Sequence, residues 1–169
     1  MRLRPGTAGD LATVQNLEKA ARVRYLGVPD LAFAAAPPPI AIDRLRQGEL
    51  IVGDEDSRII GFVLLNTIDA RLYIANISVA PDSSGCGVGA ALMAEAVHRA
   101  ATRGLGAVML TTFRAPRWNA PWFARLGFTP MPVALIGPGL HEILQRQAQY
   151  VDPATREILW MPAPRNATE

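Results

Sequence analysis

The chain has 169 residues, half of them hydrophobic, a formal net charge of +2 and a single cysteine, Cys86. That length fits one domain with a real core, and the small charge with scattered arginines does not suggest a nucleic-acid binder, an alternative that only the pI of about 9.1 keeps open. One cysteine excludes an internal disulfide framework and a cysteine-cluster metal site. No apolar run reaches membrane-spanning length, and Met1-Arg2-Leu3-Arg4-Pro5 lacks the apolar stretch of a signal peptide. The expectation is a cytoplasmic protein with no membrane or nucleic-acid partner and no metal.

In chain order, Leu3-Arg4-Pro5 reads as a short first strand, and Thr7-Ala8-Gly9-Asp10 has the spacing of a capping box. Leu11, Val14, Leu17, Ala21 and Tyr25 recur at helical spacing, which predicts a helix to about Arg24. A loop follows, ending in Ala34-Ala35-Ala36-Pro37-Pro38-Pro39, where the prolines exclude helix interior. Ile42 to Gln47 reads as a short helix closed by Gly48. Leu50 to Gly53, Ile59 to Asn66 and Leu72 to Val79 read as three strands, and their short links imply an antiparallel meander. The glycine-rich stretch Ser84 to Gly89 opens a long helix ending near Arg103, with Gly104 as its C-cap. Leu92, Met93, Ala96, Val97 and Ala100 form that helix's apolar face. Ala107 to Phe113 is a continuous apolar run, as a strand buried on both faces would be. Pro121 to Leu126 makes a helical turn or two stopped by Gly127. Phe128-Thr129 begins a strand, Leu140 to Gln149 is a helix, and Ile158 to Met161 is a last strand. Strands and helices mix without a linker or a repeat, so the expected class is α/β with a mixed sheet in one domain spanning 1–169.

The chemistry concentrates in Ser84-Gly85-Cys86-Gly87-Val88-Gly89-Ala90, set between a strand and a helix. A helix's first turn offers unpaired N–H groups and the positive end of its macrodipole, and glycines let a large anion approach without Cβ clashes. A Walker A loop fails, because alanines rather than Lys-Ser/Thr follow Gly89. A dinucleotide fingerprint is met by Gly85-x-Gly87-x-x-Ala90, yet Val108 to Thr112 supplies no acidic residue where the ribose partner belongs. A loop with no ligand is the remaining alternative to a phosphate site.

Ser84-x-x-Gly87-x-Gly89 also resembles the Gln/Arg-x-x-Gly-x-Gly/Ala loop of the GCN5-related N-acetyltransferase (GNAT) family. Downstream, Asn119-Ala120-Pro121-Trp122-Phe123-Ala124-Arg125-Leu126-Gly127-Phe128 is similar to that family's second motif, an asparagine followed by a short helix ending in Gly-Phe. The resemblance covers Leu3 to Thr129; the chain from about residue 130 is less distinctive. It implies the GNAT fold: a mixed, mostly antiparallel sheet splayed between strands 4 and 5 and flanked by helices. It implies that acetyl-CoA is the co-substrate and that its acetyl group passes directly to a primary amine on a small molecule or peptide. The backbone of Ser84, Gly85, Cys86, Gly87, Val88, Gly89 and Ala90 would hold the pyrophosphate. Ile77 and Val79 would run beside the pantetheine, with the Val79 amide facing the thioester oxygen. Asn119 would bond the pantetheine arm, and Phe123 would pack beside the sulfur.

Three departures bear on catalysis. Ser84 replaces an arginine or glutamine, Phe123 stands where many members have a tyrosine acid, and Ala75-Asn76 stand where a glutamate is common. Glu18, on the helix that walls the acceptor pocket in this family, is then the carboxylate expected to orient the amine, set against the plainer reading of a solvated helix-face residue. Tyr25 reads as core or a loop anchor, Trp118 and Trp122 as packing for the short helix with lining of the acceptor mouth open to one of them, and His98 and His141 as structural or solvated. An acetyl-CoA-binding sensor with little catalysis is the alternative to an enzyme. Ile158 to Met161 is the candidate dimer surface.

Overall fold

Two-residue turns in which both residues are left-handed organise the first strands. Asp56 and Ser57 have φ of 50° and 65°, and Asp69 and Ala70 have φ of 50° and 56°. This is the geometry whose twist matches that of the strands it joins, and aspartate tolerates it. In the computed structural model, which describes residues 1–163, the first turn links β2 (Glu49–Glu55) to β3 (Arg58–Ile68) and the second links β3 to β4 (Arg71–Val79). Residues 164–169 of the expected domain lie outside the described part. Ahead of this meander come β1 (Arg2–Pro5), α1 (Leu11–Arg22) and α2 (Ile42–Gln47). After it come α3 (Val88–Thr102), β5 (Ala107–Phe113), α4 (Ala120–Arg125), β6 (Thr129–Pro130), α5 (Pro138–Ala148) and β7 (Arg156–Pro162).

The strands form one seven-stranded sheet in the order β1-β2-β3-β4-β5-β7-β6. The ladders of β1 with β2, β2 with β3, β5 with β7 and β6 with β7 are antiparallel. β4 and β5 are parallel, with Leu72 opposite Val108 and Tyr73 opposite Met109, after which β4 runs on to Val79. The mixed, mostly antiparallel sheet is the one expected. No described helix is long and apolar enough to cross a membrane.

The chain divides into two compact units, Met1–Asn66 with Ala75–Glu95 and Thr67–Ile74 with Ala96–Glu169. In the first, Leu50 is paired with Leu64 and Val52 with Phe62, so one face of β2 and β3 presents four large side chains. Leu11, Val14 and Leu17 of α1 and Leu45 of α2 close over them, each buried side chain contributing about 1.5–3 kcal/mol. The other face carries Gly61, where an added Cβ would lie 2.7 Å from Val88 and 3.2 Å from both Leu92 and the Ser78 carbonyl oxygen. Glycine there lets the first turns of α3 seat on the sheet. Arg4 on β1 donates two bonds to Asp10 (2.8 and 3.0 Å) and one to Asp54 (3.0 Å), tying β1, β2 and the start of α1 together. The capping box forms, with the Thr7 N–H donating to Asp10 at 2.7 Å.

Two expectations shift. α1 stops at Arg22, and the segment read as loop winds into 3-10 turns at Val23–Gly27 and Pro29–Ala35. Gly27 and Pro29 interrupt α-helix but permit short 3-10 pieces. In the second unit, α5 begins at Pro138 rather than Leu140, with proline tolerated in a first helical turn. The cap comes from far away in sequence: the Asp69 carboxylate accepts from the N–H groups of Gly139 and Leu140, both at 2.9 Å. Arg71 donates to the Leu135 carbonyl at 2.9 Å and fixes the chain entering α5. β7 lies between β5 and β6 with Leu159 buried, so the backbone of the candidate dimer segment is paired on both sides within the sheet.

Candidate active site

In the first unit, β4 delivers the chain into a 3-10 turn, Pro81–Ser83, and then into the glycine loop. The Ala80 N–H donates to the Ile60 carbonyl at 2.9 Å, anchoring the loop's entry to β3. Gly85 and Gly87 have φ of 83° and 82°, a conformation that costs a side-chain-bearing residue roughly 1–2 kcal/mol. A Cβ at either glycine would meet no atom within 4 Å, so the space over the loop is open. The Gly87 carbonyl accepts from Ala91 at 3.0 Å and starts α3. Among the described residues, nothing accepts from the N–H groups of Gly85, Gly87, Val88, Gly89 or Ala90. These donors stand at the positive end of a fifteen-residue helix, the arrangement that suits a phosphate. Ser84 and Cys86 are exposed on the loop. Asp82 pairs with Arg58 at the loop's flank, and that guanidinium lowers the Asp82 carboxyl below its ordinary range.

Along β4, Ile77 and Val79 are half-buried. Asn76 and Ser78 share the opposite face of the strand, and the Ser78 hydroxyl donates to the Asn76 carboxamide oxygen at 2.9 Å. Ala75, on the same face as Ile77 and Val79, packs against the core under α1. Neither residue at the expected glutamate positions is a base.

Glu18 is buried, at 5% exposure, and is not a solvated helix-face residue. Its Oε1 lies 2.8 Å from Arg22 Nε, an ion pair without the alignment of a good hydrogen bond, and its Oε2 accepts from the Ile40 N–H at 3.4 Å. Arg22 also donates to the Ala34 and Pro38 carbonyls (3.5 and 3.2 Å), and Gln15 donates to Ile40 O at 2.8 Å. The polar edge of α1 thus clamps the proline-rich segment 34–40. The signal for the pair was in the sequence: Arg22 stands four residues beyond Glu18 on one helix. Tyr25 is buried, as read.

In the second unit, Asn119 caps α4 and donates from Nδ2 to the Thr112 hydroxyl at 2.9 Å, which orients its carboxamide against β5. The Asn119 carbonyl accepts from Trp122 and Phe123 (2.8 and 3.1 Å) and begins the helix. Gly127, at φ of 95°, ends it and returns Phe128 onto Phe123. Phe123 is 4% exposed and makes edge contacts with Trp122 and Phe128, at 4.8 and 5.8 Å between ring centres. His98 and His141 are exposed, and among the described residues no three His, Cys, Asp or Glu side chains group as metal ligands.

Sequence reading missed a polar cluster in this unit. The Thr111 hydroxyl lies 3.2 Å from Tyr73 OH, 3.0 Å from Gln147 Nε2 and 3.1 Å from an Arg156 guanidinium nitrogen. These residues come from β4, β5, α5 and β7, and no local spacing links them.

A seven-stranded, mostly antiparallel sheet with one parallel pair at β4 and β5 and a glycine loop leading into α3 is the GNAT fold. The profile of the acetyltransferase (GNAT) family matches residues 15–128, more than half of the chain, and the protein belongs to that family. Solved structures share the fold. The ribosomal-protein-S18-alanine N-acetyltransferase of Escherichia coli aligns with a TM-score of 0.69 at 14% identity, over 99% of this chain and 96% of that one. Nourseothricin acetyltransferase aligns at 0.62 and 24% identity, over 96% and 98%. The PaiA N-acetyltransferase of Thermoplasma acidophilum, solved in complex with coenzyme A, aligns at 0.66 and 16% identity, over 95% and 98%.

Proposed function

We propose that this chain is a single acetyltransferase domain that moves the acetyl group of acetyl-CoA directly to a primary amine on a small molecule or peptide. The observation that carries the reading is the loop Gly85 to Ala90, with two left-handed glycines, open space above them and five N–H groups without an acceptor among the described residues. The pyrophosphate would take those donors, so the loss of a charged residue at Ser84 is tolerable. Ile77 and Val79 would run along the pantetheine, and Asn119, already oriented by Thr112, would bond its arm. Phe123 would supply an apolar wall beside the sulfur.

Catalysis on this reading comes mainly from positioning and from the Val79 amide acting on the developing oxyanion. A thiol with an ordinary pKa of about 8.5 leaves as thiolate without full protonation. Glu18 enters as a residue that fixes the acceptor wall: with one oxygen on Arg22 and the other on Ile40, it acts through the segment it holds rather than as a free base. The test is release of CoA thiol from acetyl-CoA over a panel of primary amines. Amine-dependent release is the expected result, and none with any amine, while acetyl-CoA still binds, refutes the enzyme. One set of observations favours a second reading, an acetyl-CoA-binding sensor: Asn76 is engaged by Ser78, Phe123 has no hydroxyl and Glu18 is closed in an ion pair.

A further inference from the structure

Arg58 opens β3, and the alternation along that strand sets where its side chain goes. Ile59 belongs to the core under α1, so its neighbour Arg58 turns to the other face, the one on which Val88 of α3 packs over Gly61. The Ala80 N–H bonds the Ile60 carbonyl and sets the end of β4 beside the start of β3. There the guanidinium meets Asp82, whose carboxylate accepts from Arg58 Nη2. Asp82 stands three residues before Gly85. The stretch between them folds back on itself, because the N–H groups of Ser83, Ser84 and Cys86 donate to the carbonyls of Ala80, Pro81 and Ser83. Arg58, Asp82 and the glycine loop all belong to the first unit.

The pair leaves most of the cation unused. A guanidinium carries five N–H donors, and among the described residues nothing accepts from Arg58 Nε or Nη1. Both side chains are 59% exposed. An exposed ion pair contributes little and is screened by salt, so it exchanges partners easily. The loop itself offers no positive side chain: from Val79 to Ala90 the one charged residue is Asp82, and it is negative. Backbone N–H groups suit a diphosphate held against the start of α3. A phosphate monoester beside that diphosphate brings close to two more negative charges, and Arg58 is the cation bonded to this stretch of chain among the described residues.

We propose that Arg58 binds the 3′-phosphate of the CoA moiety and that Asp82 holds the guanidinium until the cofactor arrives. The assignment rests on the acetyl-CoA reading of the loop given above. The N–H groups of Gly85 to Ala90 take the pyrophosphate, which leaves the monoester as the cofactor's remaining anionic group. A guanidinium meets a phosphate through two parallel N–H donors. Turning that fork from a singly charged carboxylate to a monoester near its second ionisation is favoured by charge, and the bond given up is weak. Asp82 therefore competes with the phosphate for one cation and sets how tightly the cofactor is held.

The experiment measures Kd by titration calorimetry for CoA and for 3′-dephospho-CoA, at low and at high salt. Wild-type protein is expected to bind CoA about five- to tenfold more tightly at low salt, the size of one exposed charge-assisted contact, and the preference should shrink as salt rises. Arg58→Gln should bring the ratio of the two Kd values to about one by weakening CoA alone. Parallel weakening of both ligands would mean a distorted loop and would overturn the assignment. Asp82→Asn, which removes the competing carboxylate, should widen the preference, and the same change made on Arg58→Gln should leave the ratio at about one. A wild-type ratio within about twofold of one, a ratio that survives Arg58→Gln, or a preference that falls in Asp82→Asn overturns the assignment while leaving a CoA-binding loop. Failure of the wild-type protein to bind either ligand overturns the acetyl-CoA reading itself, and the assignment with it.

Discussion

Gly61→Ala tests how the fold carries α3 to the glycine loop. The added methyl would sit 2.7 Å from Val88 Cγ1, 3.2 Å from Leu92 Cδ1 and 3.2 Å from the Ser78 carbonyl oxygen. Val88 and Leu92 are 3% and 0% exposed, so neither can swing into solvent, and the third contact is backbone. Overpacking of this kind costs about 1–3 kcal/mol, while removing a glycine from a strand returns roughly 0.5–1 kcal/mol. The net loss is about 1–2 kcal/mol, or about 3–6 °C in Tm for a chain of this size. Relief comes most easily by displacing the first turn of α3, which begins at Val88, so the Tm rise on adding acetyl-CoA should shrink as well. Thermal unfolding with and without acetyl-CoA reads both effects. A variant as stable as wild type with an undiminished acetyl-CoA shift would refute the packing argument.

Asp69→Ala removes the carboxylate that caps α5 through Gly139 and Leu140 and should cost about 1–3 kcal/mol in urea unfolding; a change within error would mean that water caps the helix as well. The Arg4 guanidinium holds the Asp10 carboxyl well below its ordinary range. A lowered folded pKa means that the stabilisation is present above the unfolded value of about 4 and is lost as pH falls through the folded value. The Tm difference between wild type and Asp10→Asn should therefore be largest near neutrality and shrink steadily as pH falls below about 4. A difference that is flat across that range would count against the pair.

Periodicity and punctuation made much of the fold legible. α2 and β5 fall at the residues read, Gly104 and Gly127 take the left-handed conformation their positions suggested, and Gly85 and Gly87 do so in the loop. What escaped depends on contacts distant in sequence. Asp69 advances the start of α5 from about seventy residues away, and the segment before α2 is wound into 3-10 turns where composition suggested loop. Glu18 belonged to a pair visible at helical spacing, but nothing local told that Ile40 would close over its second oxygen. The cluster around Thr111 joins side chains whose separations run to 74 residues, so only the folded sheet reveals it.

The central claim is that the loop from Gly85 to Ala90 binds the phosphates of acetyl-CoA, and a ligand-dependent melting measurement tests it most directly. Wild-type protein at a hundredfold excess of acetyl-CoA over Kd should gain about 2.7 kcal/mol of stability, and NAD should give no shift. Gly87→Val places a branched side chain at φ of 82° in space that is open in the structure, so the variant should fold, with its loop distorted and its phosphate approach blocked. Its acetyl-CoA shift should vanish. A shift with NAD and none with acetyl-CoA, or a full acetyl-CoA shift in Gly87→Val, would contradict the account.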